Sequence, residues 1–592
     1  MRYFPLFLII LCLPFLSCNE TVDANPDMIS ESFSMLLDNY YEEGLKLSPI
    51  TATMAGDNRY NDIFPDVLTP EYEQKFRAHF QNFKKQLAKY SDDYLTESQQ
   101  LSKAILDWEC TLNLESINYK ANLTPIDQMW SVNLTVGQLA SGASAQPFET
   151  IADYENWLKR VDGFVSWMKS AEVKMKEGIQ QNYVLPKSLI KKVLPQLQAL
   201  AMPEVKDHLF YKPVLNFPDS IPAIERQRLE DAFRTMVSEK VVPAYQRLYG
   251  FMSTTYMAAG RESSGIQGVP EGDAYYQHQI KLYTTTNMTA DEIHQLGLKE
   301  VARIRSEMEK IKTQVGFKGD LKAFFDDVRN NPDLMPFDNP EEVIANFNAI
   351  HLRMQPQIEK LFDLKPKTPF EVKRTEAFRE KSASAEYNPG SLDGTRPGIF
   401  YTPIPDVKTY NVYSDESLFL HEAIPGHHYQ ISLTQENEDL PKFRKTLWYS
   451  GYGEGWALYC ESLGTELGLY TDPYQLFGML GAEMHRAVRL VVDTGLHSKG
   501  WTREQAIQYS LDNEAESEAG ITSEIERYMA NPGQALSYKI GQLKIRELRT
   551  KAQNKLGDKF DIRQFHNQVL ETGCVPLALL ENKINNWIEA SK

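Results

Sequence analysis

Apolar residues recur at helical spacing along most of the chain. The capping sequence Thr289-Ala-Asp-Glu292 is followed by apolar residues every three to five positions, which define one face of a helix: Leu296, Val301, Ile304, Met308 and Ile311. Similar amphipathic stretches cover residues 28–45, 70–90, 154–176, 226–254, 339–362 and 476–497. The pattern therefore predicts a mainly α-helical protein.

One short segment, Gly398-Ile-Phe-Tyr-Thr402, has the composition of a strand, with prolines on both sides. Flanking prolines favour the edge of a sheet, so we predict an edge strand in a small β-sheet. An extended peptide could pair with its free edge, which makes Phe400 and Tyr401 candidate substrate-binding residues. The alternative is an ordinary edge strand that meets only solvent.

Turn-forming residues suggest a division of the chain. Breaks fall at residues 263–265, 270–272 and 388–390. A boundary near 270–290 predicts an N-terminal helical half, residues 19–280, and a catalytic half, residues 281–592. The two halves could instead form one intertwined domain over residues 19–592.

The first 18 residues have the pattern of a bacterial lipoprotein signal peptide. Arg2 precedes an apolar run over residues 6–15, and Leu16-Ser17-Cys18 then resembles a lipobox. We therefore expect lipidation of Cys18 and attachment to a membrane of the bacterial cell envelope. The alternative is ordinary signal cleavage with release. No later segment is apolar enough to span a membrane.

Net charge and cysteine content exclude some classes of function. The formal net charge of −17 disfavours binding to nucleic acid, whose phosphates require a basic surface. Outside the signal peptide the cysteines are Cys110, Cys460 and Cys574, with no CxxC pair, so neither a disulfide framework nor a thiolate zinc site is predicted.

A histidine cluster carries the strongest chemical signal. His421-Glu422 is followed by His427 and His428, in a chain with only 11 histidines. In the HExxH motif of zinc hydrolases the second histidine follows the first by four positions, but Pro425 stands there. A two-residue bulge at Pro425-Gly426 would carry His427 into that place. We prefer His427 to His428 as a ligand and assign His428 a supporting place; the alternative is a chance polar cluster.

Two carboxylates follow at a spacing that places them on one helical face. Glu454 and Glu461 are seven residues apart. One can bind the metal while the other orients a histidine.

Further polar residues are candidates for contact with the substrate. Tyr528 and Tyr538 flank Asn531-Pro-Gly533, and a tyrosine hydroxyl can stabilise an oxyanion. We favour Tyr538, against the alternative of a packed core tyrosine.

Asp493 and His497 are four residues apart on a predicted helix. Asp493 could orient His497 for catalysis, or His497 could satisfy the last carbonyls of that helix. Arg527 could bind a substrate carboxylate, although an ion pair with Glu524 is the simpler explanation.

Four segments resemble a large bacterial family long labelled a domain of unknown function: HEAIPGHHYQ, EGWALYCE, VVDTGLHSKGW and NPGQALSYKIG. Its members are described as gluzincin-like metallopeptidases, many of them lipoproteins. The resemblance extends over nearly all of the mature chain, including residues 56–60 and 393–401. It implies a large helical zinc-peptidase-like fold with the small β-sheet beside the active site.

The resemblance also implies a ligand set. His421, His427 and Glu454 would bind one zinc ion (Zn²⁺), Glu422 would be the general base, and Glu461 would support the ligands from behind. The expected function is hydrolysis of peptides in the cell envelope. Two alternatives are a zinc hydrolase of a modified amide or ester, and a lipid-anchored binding protein with a structural metal.

Overall fold

The structure, a computed structural model, describes residues 26–376, 380, 383–391 and 396–592. The predicted signal peptide, residues 1–18, and the predicted lipidation site Cys18 therefore lie outside the described residues. Within those residues, no helix is long and apolar enough to cross a membrane.

Helices dominate the described chain, which confirms the predicted mainly α fold. The helices of the first half are α1 (Pro26–Leu47), α2 (Pro49–Met54), α3 (Pro70–Leu87), α4 (Glu97–Ser116), α5 (Val132–Ala140), α6 (Ile151–Gln180), α7 (Lys187–Leu200), α8 (Ala223–Thr235), α9 (Val242–Phe251), α10 (Met257–Ala259) and α11 (Gly272–Thr284). The predicted helix over 226–254 corresponds to α8 and α9, which are joined by a π-helical turn; a second π-helical turn then leads from α9 to α10.

The second half contains α12 (Ala290–Gln314), α13 (Leu321–Asn330), α14 (Pro340–Leu361), α15 (Asp415–Glu422), α16 (His427–Glu436), α17 (Lys442–Lys445), α18 (Ser450–Glu461), α19 (Pro473–Ser498), α20 (Arg503–Asn513), α21 (Glu518–Ala530), α22 (Ser537–Leu556), α23 (Ile562–Leu570) and α24 (Leu577–Ser591). The predicted capping box is present: the Thr289 hydroxyl accepts from the Glu292 N–H, and the Glu292 carboxylate accepts from the Thr289 N–H. It begins α12, which packs along α19.

The small sheet contains β1 (Phe370–Arg374), β2 (Glu386–Asn388) and β3 (Gly398–Thr402) in the order β1-β3-β2. Strand β3 pairs in parallel with β1 and antiparallel with β2. The prediction of an edge strand is therefore wrong. Pro397 and Pro403 flank β3 without interrupting it, so its own five residues keep their N–H donors for two neighbours.

The described residues form three large hydrophobic cores and a small fourth one around Leu123, Tyr183 and Val269. The largest combines side chains from residues 33–110 with side chains from residues 276–588, including those beside α15 and α18. A second lies within residues 68–257, and a third joins residue 189 to residues 301–535. The proposed boundary near residue 280 stays a prediction.

Helices α18 and α22 cross at unusually close range because glycines meet at the crossing. A Cβ atom added to Gly541 would overlap the carbonyl oxygen of Gly451 and the Cα atom of Gly455. Glycine lets the two backbones approach in this way, and the crossing fixes the position of α18.

We expect Gly541→Ala to lower the free energy of unfolding by about 1–3 kcal/mol or more, because the added methyl must displace helix backbone. Gly44→Ala in α1 is the matched control, since its Cβ would meet no atom within 4 Å. The control should leave stability unchanged or raise it by up to about 1 kcal/mol. Chemical denaturation measures both, and equal midpoints would contradict this account.

Candidate metal centre

The three predicted ligands lie together. His421 is on α15, His427 begins α16, and Glu454 is on α18. Oε2 of Glu454 lies 3.6 Å from Nε2 of His421 and 3.5 Å from Nε2 of His427. One ligand atom from each residue lies within 4.8 Å of the others. Tetrahedral zinc with bonds of about 2.0–2.2 Å separates its ligand atoms by roughly 3.3–3.6 Å. The two imidazoles and the carboxylate therefore fit a zinc ion.

A break between two helices brings His427 to this place. Helix α15 ends at Glu422 and α16 begins at His427, with a cis peptide bond between Ile424 and Pro425. The chain thus has a complete interruption where we expected a bulge within one helix. Gly426 is needed there, because an added Cβ would overlap the carbonyl oxygen of His421.

Helix α18 holds the interruption in place. The indole N–H of Trp456 donates to the carbonyl oxygen of Pro425 over 2.9 Å, and the thiol of Cys460 contacts the same oxygen at 3.4 Å. Both residues are buried on the helix that carries Glu454. Helix α18 therefore positions the ligand Glu454 and also the loop between α15 and α16, the helices that carry His421 and His427.

Glu461 orients His421. Its Oε1 accepts from Nδ1–H of His421 over 2.7 Å, and its Oε2 accepts from the hydroxyl of Ser417 over 2.7 Å. A guanidinium nitrogen of Arg486 lies 3.8 Å from Oε1. This pairing leaves Nε2 of His421 free to bind a metal, as is usual for metal-binding histidines.

The second imidazole is held differently. Among the described residues, Nδ1 of His427 has no hydrogen-bond partner although it is buried. Its ring packs against His421, with 4.9 Å between centroids, and against Trp448, with 5.8 Å. Ring packing rather than a second carboxylate therefore fixes this side chain.

Glu422 lies beside the ligands in a buried position. Burial raises the pKa of its carboxyl group, and the nearby His421 and His427 oppose that rise. Within the described part of the chain no side chain or backbone group hydrogen-bonds this carboxylate. Glu422 is consequently available to accept a proton.

His428 faces the sheet instead of the ligand group. Its Nδ1 is hydrogen-bonded to the hydroxyl of Tyr387 on β2 at 2.9 Å, and its ring packs 4.9 Å from that of Phe370 on β1. Burial lowers the pKa of His428 to about 4, so the ring is neutral near pH 7. It joins α16 to the sheet.

Tyr528 and Arg527 belong to a closed polar network. The Tyr528 hydroxyl donates to Glu524 over 2.6 Å and accepts from Nε of Arg489 over 2.9 Å. Arg527 makes two hydrogen bonds of 3.0 Å to Glu524 and one of 2.5 Å to Gln534. These contacts favour the ion-pair explanation of Arg527 over substrate binding.

Tyr538 lies within electrostatic reach of the ligand Glu454. Its ring is half-buried, and the guanidinium carbon of Arg489 lies 4.6 Å from the ring centroid. Burial raises the pKa of its hydroxyl, and the charge of Glu454 raises it further. The hydroxyl therefore keeps its proton near pH 7.

His497 and Asp493 do not form the predicted pair. Nδ1 of His497 accepts from the N–H of Ile266 over 2.9 Å, and its Nε2–H donates to the carbonyl of Tyr528 over 3.0 Å. Asp493 instead accepts from the hydroxyl of Tyr276 over 2.5 Å and from the N–H of Gly533. Both side chains tie α19 to neighbouring segments, so we assign His497 no proton transfer.

The family model described as "Bacterial protein of unknown function (DUF885)" matches residues 49–584. The chain belongs to the DUF885 family. No curated protein is significantly similar to it.

Solved structures that share the fold include the following two. A "putative lipoprotein" from Colwellia psychrerythraea is 30% identical, with a TM-score of 0.86 over 95% of this chain and 99% of that one. A "putative lipoprotein of unknown function" from Shewanella oneidensis is 19% identical, with a TM-score of 0.76 over 93% of this chain and 99% of that one. The second likeness shows the fold alone.

In this DUF885 protein, β3 does not offer the predicted peptide-binding edge. Phe400 is completely buried and packs against Phe347, with 5.0 Å between ring centroids. It therefore faces the core rather than a substrate. Tyr401 is half-buried and opposite Glu386 of β2.

The sequence did not reveal several residues that build the site. Ser417 stands one turn before His421, a spacing that could have indicated a shared helical face. Arg486 and Arg489 are three apart on α19, but nothing local connects them to α18. Trp448 precedes α18 and reaches His427 only through the fold.

Zinc binding to the metal-free protein should release a proton. Burial alone would lower the pKa of His421, but its contacts with Glu454 and Glu461 outweigh burial and raise it to about 9. The imidazole is therefore protonated near pH 7 and must lose that proton to bind a metal. We expect the affinity for zinc to rise about tenfold per pH unit between pH 6 and 8.

Titration calorimetry in buffers of different ionisation enthalpy measures the released proton directly. An affinity that does not change between pH 6 and 8 would show that His421 is neutral in the metal-free protein.

Proposed function

We propose that this protein is a zinc-dependent peptidase that hydrolyses peptides in the bacterial cell envelope. The observation that carries the proposal is the convergence of His421, His427 and Glu454 with Glu422 beside them. The cluster offers three protein ligands among the described residues. Structural zinc sites almost always have four, whereas catalytic sites keep one position for the reacting groups.

Glu422 is the proposed general base. A bound zinc ion supplies Lewis acidity, which lowers the pKa of water and polarises a substrate carbonyl. Glu422 accepts a proton from the attacking water and then delivers it to the nitrogen of the leaving amine. Burial, which raises the pKa of Glu422, makes its carboxylate a better proton acceptor than an exposed one.

Glu461 and Tyr538 are proposed to assist the reaction in two different ways. Glu461 holds Nδ1–H of His421, which fixes the tautomer whose Nε2 faces Glu454. Tyr538 keeps its hydroxyl proton and is proposed to donate it as a hydrogen bond to the developing oxyanion. The guanidinium of Arg489 over the Tyr538 ring limits the positions of that ring.

The proposed location is a membrane of the cell envelope, reached through lipid on Cys18. The sequence around Cys18 resembles a lipobox, and two solved structures of similar fold are each described as a "putative lipoprotein". A lipid anchor would bring the enzyme to peptides that enter the envelope.

Glu422→Gln should abolish cleavage without removing zinc, because the amide cannot accept a proton and the ligands are untouched. We expect kcat to fall by about 10²–10⁴-fold on a mixed peptide library. Elemental analysis should find one zinc per chain in both proteins. Glu438→Gln, the same change at an exposed residue of the following segment, is the matched control and should keep full activity.

Three other results would each redirect the proposal. Cleavage of amide or ester model compounds but of no peptide would change the substrate class. Bound zinc with no Glu422-dependent product would indicate a structural metal. Absence of zinc from the wild-type protein would contradict the site itself.

Cys18→Ser should release the protein from membranes, since the serine cannot take the lipid. Cys12→Ser, within the apolar run of the same signal peptide, is the matched control and should remain in the membrane fraction. Fractionation with metabolic labelling by a fatty-acid analogue measures both. Labelled, membrane-bound Cys18→Ser protein would refute the anchor.

A further inference from the structure

A cavity of about 450 Å³ lies beside the metal centre and has no part in the proposed proton transfers. Its walls come from α4, α11 and the segment 447–450 that leads into α18. Pockets of about 300–1,000 Å³ commonly bind small molecules or single side chains. The cavity therefore lies between helices from distant parts of the sequence and is large enough for a bulky group.

Trp448 separates this cavity from the ligands. Its ring centroid lies 5.8 Å from that of His427, and its side chain contributes to the cavity wall. The indole also covers Gly453, where an added Cβ would overlap the ring. Gly453 directly precedes Glu454, so the indole is held against the helix that carries a ligand. Trp448 keeps 45% of its surface exposed.

Burial favours the uncharged form of two ionisable side chains in the cavity wall, Glu109 and His278. Burial raises the pKa of Glu109, whose carboxylate accepts from the hydroxyl of Tyr449 over 2.8 Å. Burial also lowers the pKa of His278. Just outside the wall, Lys281 and Glu115 neutralise each other at 2.7 Å. The cavity therefore suits an uncharged guest.

The rest of the wall is mainly aromatic and aliphatic, with Leu112, Tyr275, Leu282 and Tyr283 beside Trp448. Four polar side chains complete it: Asn113, Ser116, Gln279 and Ser450. Mainly apolar walls gain most from aromatic or large aliphatic groups, because these remove the largest apolar area from water. Neighbouring residues of an extended peptide are about 3.3 Å apart. A residue next to the bond being cleaved would therefore lie near Trp448, whose ring centroid is 5.8 Å from that of His427 and whose side chain lines the cavity.

We propose that this cavity receives a bulky, uncharged side chain, aromatic or large aliphatic, from the substrate residue next to the scissile bond. This inference rests on the proposed peptidase function and adds the class of peptide that the site prefers. Trp448 would be the wall that the guest side chain contacts first.

Filling the cavity tests the inference. Ser116 lines it from the end of α4 and is exposed, so Ser116→Trp should fold and occupy part of the space. Ser98→Trp places the same residue at an exposed position near the start of α4, outside the cavity wall. The test peptides come in matched pairs that differ only in one residue next to the cleaved bond, which is Phe in one peptide and Ala in the other. One pair varies the residue before the bond, and a second pair varies the residue after it.

We expect the wild-type protein and Ser98→Trp to cleave the Phe peptide with a kcat/KM at least about tenfold above that of the Ala peptide. Ser116→Trp should reduce this ratio about tenfold, mainly through a higher KM. An equal ratio in the two Trp variants, or no preference in the wild type, would overturn the inference.

A binding measurement separates failure of the cavity from failure of the peptidase. Zinc-loaded Glu422→Gln protein should bind the uncleaved Phe peptide in titration calorimetry, and adding Ser116→Trp should weaken binding about tenfold. If the wild type cleaves no peptide, the proposed peptidase function fails. The difference in binding with and without Ser116→Trp then decides whether the cavity receives a peptide side chain. Equal binding with and without Ser116→Trp would refute it.

Discussion

The hydrogen bond from Trp456 to the carbonyl of Pro425 is the contact on which the geometry of the candidate metal centre depends. A chain that leaves one helix and enters another within four residues exposes backbone groups that need partners. Helix α18 provides that partner and also carries Glu454 and Glu461. Because the glycines at its crossing with α22 fix the position of α18, a single helix sets the geometry of both histidines.

Charge explains why such a site favours a cation. Glu422, Glu454 and Glu461 are grouped around two imidazoles in a poorly hydrated region, and a guanidinium nitrogen of Arg486 lies 3.8 Å from Glu461. Carboxylates this close repel one another unless protons or a cation offset their charge. The raised pKa of His421 reflects that shortage of positive charge in the metal-free protein.

Local patterns predicted what depends on local forces. Helical periodicity anticipated the mainly α fold, and the Thr289–Glu292 capping box is formed as expected. The position of β3 within its sheet could not be predicted, because its parallel partner β1 is distant in sequence and flanking prolines gave a misleading signal. At the site, residue chemistry and family resemblance anticipated the grouping of His421 with Glu454. The partners of His497 come from other segments, so its spacing from Asp493 carried no information about them.

The composition of the largest core has a consequence for how the chain reaches its native state. Helices near the N-terminus supply part of the core that surrounds α15 and α18, which carry His421 and Glu454. The buried residues of this core fall in two stretches of the chain, 33–110 and 276–588, with residues 111–275 between them. Contacts between such distant segments form late, because a long loop must close before they are gained. The side chains of the candidate metal centre can therefore reach their final geometry only after nearly the whole polypeptide has become available to fold, so a metal ion would bind at the end of folding.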